Sequence, residues 1–179
     1  MNEIRFQNHK TAYGELVIGS FNEKLCLCDW RYRKMRVRID ERLKKGLKAE
    51  MVEAESPIVD TTIKQLNEYF NNQRQVFDIP LQMVGTDFQK NVWHELLEVT
   101  FGQSASYMQL AERLGDKKAV RAVANANGAN AISIIIPCHR IIGRDGSLVG
   151  YAGGLPTKQE LLQLENSLFI PKQHQLEFN

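Results

Sequence analysis

Cys138, His139 and Arg140 stand consecutively in this chain, directly after Pro137. A thiol, an imidazole and a guanidinium at adjacent positions are the parts that nucleophilic chemistry needs. The thiolate is the reactive form of cysteine, and a nearby base or cation makes it accessible near neutral pH. Proline cannot donate to a sheet ladder, so Pro137 marks the end of the apolar run Ile132-Ser133-Ile134-Ile135-Ile136, which reads as a buried strand. Cys138 is then expected at a strand terminus, where a side chain can enter a cleft. Neighbours in an extended strand face opposite ways, so Cys138 and His139 cooperate only across a turn or through a bridging water. The competing reading is a buried, inert cysteine.

The residues downstream fit a pocket. Gly143-Arg144-Asp145-Gly146 reads as a hairpin turn between Ile141-Ile142 and Leu148-Val149. Gly150-Tyr151-Ala152-Gly153-Gly154 combines open backbone amides with an aromatic ring, either a wall for a flat polar ligand or a flexible loop. A last helix is expected over Thr157 to Glu165, with leucines on its apolar side. A carboxylate at a helix end gains nothing from the dipole, so Glu165 needs another partner, for which a histidine is suited.

These residues must be positioned by a chain of 179 residues, long enough for a proper core, with 43% hydrophobic and 25% charged residues. A net charge of +2 does not by itself argue for a polyanionic partner, so any nucleic-acid signal has to come from local placement. No stretch approaches the roughly 20 apolar residues of a membrane span, and the first ten residues lack a signal-peptide apolar region. The three cysteines, Cys26, Cys28 and Cys138, form no disulfide framework and fit a reducing cytoplasm. Cys26 and Cys28 lie two apart in one strand and are expected on the same face, too distant for a bridge.

The first part of the chain is β-rich. Gly14 to Gly19 and Lys24 to Trp30 are short strands around a turn at Ser20 to Glu23, and a basic strand is expected from Met35 to Ile39. Residues 31–48 carry nine Lys/Arg, either a DNA-facing surface or a solvated strand edge and turn. The spacing of Ile63, Leu66 and Phe70 predicts a helix over 58–71, and the boundary between two domains falls near residue 84. Thr86 can cap a helix over Asp87 to Glu98 with a stripe of Phe88, Val92, Trp93 and Leu96. Ser106 to Leu114, the turn at Gly115 and a second helix from Lys117 to Asn125 make a helix-turn-helix pattern. That second helix carries Lys117, Lys118 and Arg121 among small residues, which suits close approach to a duplex or close packing on a neighbouring helix.

As a set, Pro137-Cys138-His139-Arg140, Ser106-Tyr107 with Leu110-Ala111, Ala119 to Val123, and Tyr151 with Gly153-Gly154 resemble the motifs of the O6-alkylguanine-DNA alkyltransferases. Thr86, Phe88-Gln89 and Val92-Trp93 resemble the family's entry helix, and Tyr13 to Leu16 resembles its opening hairpin, more weakly. The dense part of the match covers about residues 84–166. The resemblance implies an α+β chain with a small ribonuclease-H-like domain over residues 1–83. A helical domain with a helix-turn-helix follows over 84–179. It implies a DNA repair protein, acting as a cytoplasmic monomer on the minor groove of double-stranded DNA. Such a protein flips out O6-alkylguanine, chiefly O6-methylguanine with O4-methylthymine a further candidate. The alkyl group then passes irreversibly to its own cysteine, with no metal or organic cofactor.

Carried over by motif, Cys138 is the acceptor, His139 deprotonates it through a water, and Glu165 holds His139. Asn130 stabilises the turn before the cysteine, and Tyr107 donates its phenolic hydrogen to the departing base. Tyr151, Ala152 and Gly153 line the pocket. Arg121 fills the gap left by the flipped base, while Ala122 and Ala126 let the helix approach, and Ser106 also lies on the DNA side. Two departures stand out: Ala152 occupies a position that is serine in some members, and Phe101 one that is commonly proline. His9, Cys26 and Cys28 do not match the zinc ligands of members with an N-terminal metal. Three other readings differ in class. A lesion-binding protein that flips alkylguanine without repairing it would lack Cys138. A cysteine hydrolase would need an oxyanion hole and usually a distant histidine. A plain helix-turn-helix regulator would have no use for the Pro-Cys-His-Arg run.

Overall fold

The computed structural model describes residues 1–166, so residues 167–179 of the expected second domain lie outside the described residues. The chain opens as a meander of β1 (Asn2–Thr11), β2 (Gly14–Phe21) and β3 (Lys24–Trp30). Asn22 and Glu23, between β2 and β3, take φ of 46° and 59°, as a two-residue turn matched to the twist of its strands requires. Helix α1 (Arg36–Leu47) then carries the chain across, and β4 (Ala49–Glu53) joins β1 in parallel, giving the order β3-β2-β1-β4. Helix α2 (Pro57–Phe70) follows, with Pro57 in its first turn and Val59, Leu66 and Tyr69 buried.

Two expectations fail in this half. Met35 to Ile39 is the start of α1 rather than a basic strand. Only Ile39 and Leu43 of that helix are buried, and one i, i+4 pair is a faint stripe among so many cations. Cys26 and Cys28 do not share a face. The β2/β3 register shifts between Gly19 and Ser20, with Gly19 opposite Leu27 and Ser20 opposite Leu25. Cys26 is the extra residue of that bulge, which breaks the alternation. It packs with Ile4 and Val17, while Cys28 joins the main core with Leu25 and Trp30.

The second half contains α3 (Asp87–Leu97), β5 (Ala105–Ser106), α4 (Tyr107–Arg113), α5 (Val120–Gly128), β6 (Ile141–Ile142) and α6 (Leu155–Leu164). Reciprocal capping boxes, Thr86 with Gln89 and Ser106 with Gln109, start α3 and α4. Val92, Trp93 and Leu96 are buried, whereas Phe88 is 38% exposed and drops out of the expected stripe. Between α4 and α5, Gly115 takes φ 85° and the Asp116 side chain caps the next turn by accepting from the Lys118 amide. Ile141-Ile142 pairs in parallel with Ala105-Ser106, not with Leu148-Val149 as a hairpin. The Val149 carbonyl is instead taken by Tyr107 and Lys158.

The apolar run before Pro137 is not a strand. Ile132 makes a single bridge to Cys28, flanked by Cys28 N–H to Ala131 O at 2.9 Å and Ser133 N–H to Cys28 O at 2.6 Å. The chain then folds on itself: Ile134 takes φ 71°, and the Ile135 amide donates to Ser133 O at 2.9 Å. A β-branched residue in the left-handed region is unfavourable and persists only where its surroundings enforce it. The enforcing group is Asn130. Its side-chain amide donates to the carbonyls of Ile132 and Ile136, and its oxygen accepts from the Ile132 amide.

The two halves share one core, in which Leu16, Ile18 and Leu25 pack with Val92, Leu96 and Ile136. A second join is ionic. Buried Asp29, at the end of β3, accepts from Arg33, Arg36 and Ser133. Arg33 also donates to the carbonyls of Gly128 and Asn130, and Arg42 to that of Ala129. These are the carbonyls left free where α5 ends, and cations there also suit the helix dipole. Asp29→Ala leaves buried Arg33 without its carboxylate and Arg36 with Asp40 alone, and is expected to destabilise the chain by about 3–5 kcal/mol in denaturant titrations.

Candidate active site

Residues 138–140 form one turn of 3-10 helix, and Cys138, His139 and Arg140 are all buried in it. The Cys138 amide donates to Ile136 O at 2.8 Å, so Pro137 turns the chain as expected. Cys138 reaches the floor of a cleft of about 1010 Å³, which Trp30, Tyr107, Asn130, Tyr151 and Gly153 also line. The far rim of that cleft carries Tyr32, Lys34 and Arg38 from the first half of the chain.

Behind the cysteine lies a buried polar chain. His139 Nε2 meets Glu165 Oε1 at 2.8 Å. Arg140 donates to Glu165 through Nε at 2.9 Å and through a terminal nitrogen at 3.0 Å, and its other terminal nitrogen donates to Val99 O at 2.6 Å. Burial pushes the Glu165 carboxyl up, but the Arg140 charge, the hydrogen bonds of His139 and Arg140 and, once the ring is protonated in acid, the charge of His139 outweigh it and hold the carboxyl at about 2. An ionised carboxylate only accepts, so His139 Nε2 carries the proton and Nδ1 keeps its lone pair. Among the described residues that Nδ1 is buried with no hydrogen-bond partner. Burial lowers the His139 pKa despite Glu165, so the ring is neutral and able to accept a proton.

The Cys138 thiol is raised by burial, against the Asn130 hydrogen bond and the Lys158 charge, so it rests protonated and requires a base. Tyr107 is raised to about 12 by burial and by Cys138, and its hydroxyl donates to Val149 O at 3.1 Å. Tyr151 accepts a hydrogen bond from Trp30 Nε1 at 3.1 Å. A side chain added at Gly153 would strike the Trp30 ring at 2.6 Å, so only glycine lets this loop lie against the indole.

The structure therefore brings Cys138, His139, Glu165, Asn130, Tyr107, Tyr151, Ala152 and Gly153 together around one cleft and its floor. Arg121 and Ala122 stand on the exposed face of α5. Ala126 does not join them. It lies three residues from buried Val123, faces the core at 2% exposure, and its carbonyl accepts from Trp93 Nε1 at 2.8 Å. Ser106 Oγ is engaged in capping α4, accepting from the Gln109 amide.

Three contributors escaped the sequence reading. Trp30 and Tyr69 come from distant segments and have no local signal. Lys158 does have one, since Lys158, Leu161, Leu162 and Glu165 repeat at helical spacing and all are buried. Its ammonium donates to the carbonyls of Ile141, Val149 and Gly150, tying the pocket loop to α6, and burial lowers its pKa to about 8.

Fold and site together define a mixed α/β protein with a buried cysteine followed directly by a buried histidine-carboxylate pair. The sequence profile of the 6-O-methylguanine DNA methyltransferase DNA-binding domain matches residues 87–167. The methylated-DNA–protein-cysteine methyltransferase of Mycobacterium tuberculosis H37Rv is 49% identical over 105 residues, 59% of this chain and 64% of that protein. The protein of that name from Haemophilus influenzae is 46% identical over 119 residues, 66% of each chain. The aligned part thus spans less than two thirds of these curated relatives. A crystal structure of Mycobacterium tuberculosis OGT in complex with DNA superposes with a TM-score of 0.76 at 32% identity, covering 98% of this chain and 99% of that one. The chain belongs to the 6-O-methylguanine DNA methyltransferase family.

Glu165 gives the fold an acid sensitivity whose sign follows from its pKa. The folded value of about 2 lies below the ordinary 4.5, so its stabilisation is complete above about 4.5 and is lost as pH falls toward about 2. Glu165→Gln is less stable than wild type near neutral pH, and its denaturation midpoint is expected to vary less between about pH 5 and about pH 3.

Proposed function

We propose that this chain is a DNA repair protein that moves an alkyl group from guanine O6 in duplex DNA to its own Cys138, once per molecule. The observation that carries this reading is a cleft-lining thiol in the same turn as a neutral histidine, one ring nitrogen of which is held by a carboxylate while the other is unpartnered among the described residues. Family membership supports the substrate class, and a relative of the same fold has been crystallised in complex with DNA.

In the proposed reaction, His139 Nδ1 takes the Cys138 proton through one bridging water, and Glu165 steadies the resulting imidazolium. The sulfur attacks the alkyl carbon, an S–C bond forms, and the C–O bond to guanine breaks. Tyr107 turns its hydrogen bond from Val149 O to the departing base and stabilises the charge developing there, and the proton taken from Cys138 passes from the His139 imidazolium through water to neutralise the released guanine. The thioether has no route back to thiol, hence one turnover. No cofactor enters these steps.

The base must leave the stack, because a thiol on the floor of a cleft cannot reach O6 inside a duplex. The α4-turn-α5 unit is the proposed helix-turn-helix, with Arg121 filling the vacated place and exposed Ala122 allowing close approach to the minor groove. The sheet order β3-β2-β1-β4, closed by α1, supports a ribonuclease-H-like reading of residues 1–83, with the second domain beginning at 84. Among the described residues no helix is long and apolar enough to cross a membrane, and the cytoplasm is the proposed site of action.

Labelled methyl from O6-methylguanine DNA is expected to appear on the protein at no more than one equivalent per chain, on the peptide holding Cys138. Cys138→Ala should bind the same DNA without acquiring label, whereas repeated turnover or label on the variant would overturn the mechanism. Arg121→Ala should slow repair in duplex by about 10-fold or more, since unstacking costs a few kcal/mol, and leave reaction with free O6-benzylguanine nearly unchanged. Equal losses on both substrates would count against an inserted arginine.

A further inference from the structure

The Glu165 carboxylate has a donor from outside the Cys-His-Arg turn. Tyr69, near the end of α2, donates its hydroxyl to Glu165 Oε1 at 2.6 Å, the same oxygen that accepts from His139 Nε2 at 2.8 Å. Arg140 supplies the remaining contacts, to Oε1 at 3.0 Å and to Oε2 at 2.9 Å. Tyr69 is fully buried, and its ring packs on Phe70, Phe77 and Phe101. Phenylalanine would meet all of those ring contacts, so the packing explains the ring and leaves the hydroxyl to be accounted for.

A carboxylate beside a histidine has two opposed effects. It orients the ring and favours the imidazolium, but if it favours the cation too strongly the histidine is already protonated and cannot serve as a base. We propose that Tyr69 is a positioning residue for proton transfer: by sharing Glu165 Oε1 it withholds carboxylate charge from His139 and keeps that ring the neutral acceptor of the Cys138 proton. The proposal rests on the alkyl-transfer reading above. It gives the first half of the chain a part in the chemistry, through a hydrogen bond spanning 96 positions of sequence.

The groups around His139 make the balance plain. Glu165 from the end of α6 pulls a proton toward the ring, while Arg140 beside it and Lys158 of α6 repel one. Cys138 precedes it in the same turn, and the Tyr151 ring lies 6.4 Å away, edge-on. Arg140 already donates to both Glu165 oxygens and is tied to Val99 O, so it shares Oε1 with Tyr69 from the start and does not stand in as a new partner when the Tyr69 hydroxyl is lost. Burial raises the Tyr69 hydroxyl well above its ordinary pKa, with Glu165 adding to the effect, so it remains a donor throughout the working pH range. Loss of that donor concentrates charge on Oε1, where His139 Nε2 is bound.

The test is the pH dependence of methyl transfer from an O6-methylguanine duplex, measured for wild type and Tyr69→Phe with the titre of reactive Cys138 as control. The expected result is an acid limb moved up by about 0.5–1 pH unit in Tyr69→Phe, the scale of one charge-assisted hydrogen bond. The rate should therefore fall several-fold at the acid end and converge with wild type at the alkaline end. Phe77→Leu, which disturbs the same ring cluster without touching the hydroxyl, should leave the limb in place. Placing 3-fluorotyrosine at position 69, a stronger donor of the same shape, should move it the other way, and this arm decides the matter if Tyr69→Phe does not fold. Superimposable limbs, or a loss equal at every pH, overturn the role of Tyr69 while leaving alkyl transfer intact. Absence of transfer by wild type overturns both.

Discussion

Burying a carboxylate obliges its surroundings to answer it, and in this chain the obligation falls on Glu165. A buried carboxylate without donors would be neutral or would unfold the site. Glu165 instead collects Tyr69 from α2, His139 and Arg140 from the turn after Pro137, and, through Arg140, the carbonyl of Val99 beyond α3. Segments that share no local sequence signal are thereby held to one point. The cysteine gains its position from the same arrangement, since it precedes His139 in the turn that Glu165 fixes.

The opposite side of Cys138 is held by a different means. Asn130 binds the backbone of Ile132 and Ile136, and Asp29 reaches Ser133 within the loop so formed. Ile134 stays in a backbone region that β-branched residues avoid because both of its flanks are pinned. The site is thus a stiff loop between two anchored ends. That suits the proposed alkyl transfer, whose rate depends on placing sulfur, base and leaving group within small tolerances.

How much of this could be read in the residues depended on whether the signal was local. Helices α2 and α3 announce themselves through apolar spacing and, at Thr86 and Gln89, through a capping box. The cluster of Cys138, His139, Glu165, Asn130, Tyr107 and Tyr151 was legible because its motifs lie in a recognisable order. The run Ile132 to Ile136 was misread because β-branched apolar residues look like a strand, and nothing within the run reveals that Asn130 bends it. Helix α1 was hidden by its charge, with Ile39 and Leu43 alone facing inward. Cys26 was placed on the wrong face by one bulge residue. Ala126 was assigned to the outer face by its size, whereas its spacing from Val123 sets it inside. Tyr69 and Trp30 act across 96 and 121 positions, distances over which periodicity carries no information. Arg140, for which the sequence offered only a cation beside the thiol, proves to be the counter-charge of Glu165.

Helix α5 is held along its inner face as well as at its end. Val123 and Ala126 pack inward and the Ala126 carbonyl accepts from Trp93, while Arg33 and Arg42 take the carbonyls at the C-terminal end. Arg121 projects near the start, about 10–12 Å from those carbonyls at 1.5 Å per residue. The outer edge of the helix is therefore a ruler laid at a fixed distance from Asn130 and the cysteine loop. Two arginines borrowed from the other half of the chain set where that ruler begins.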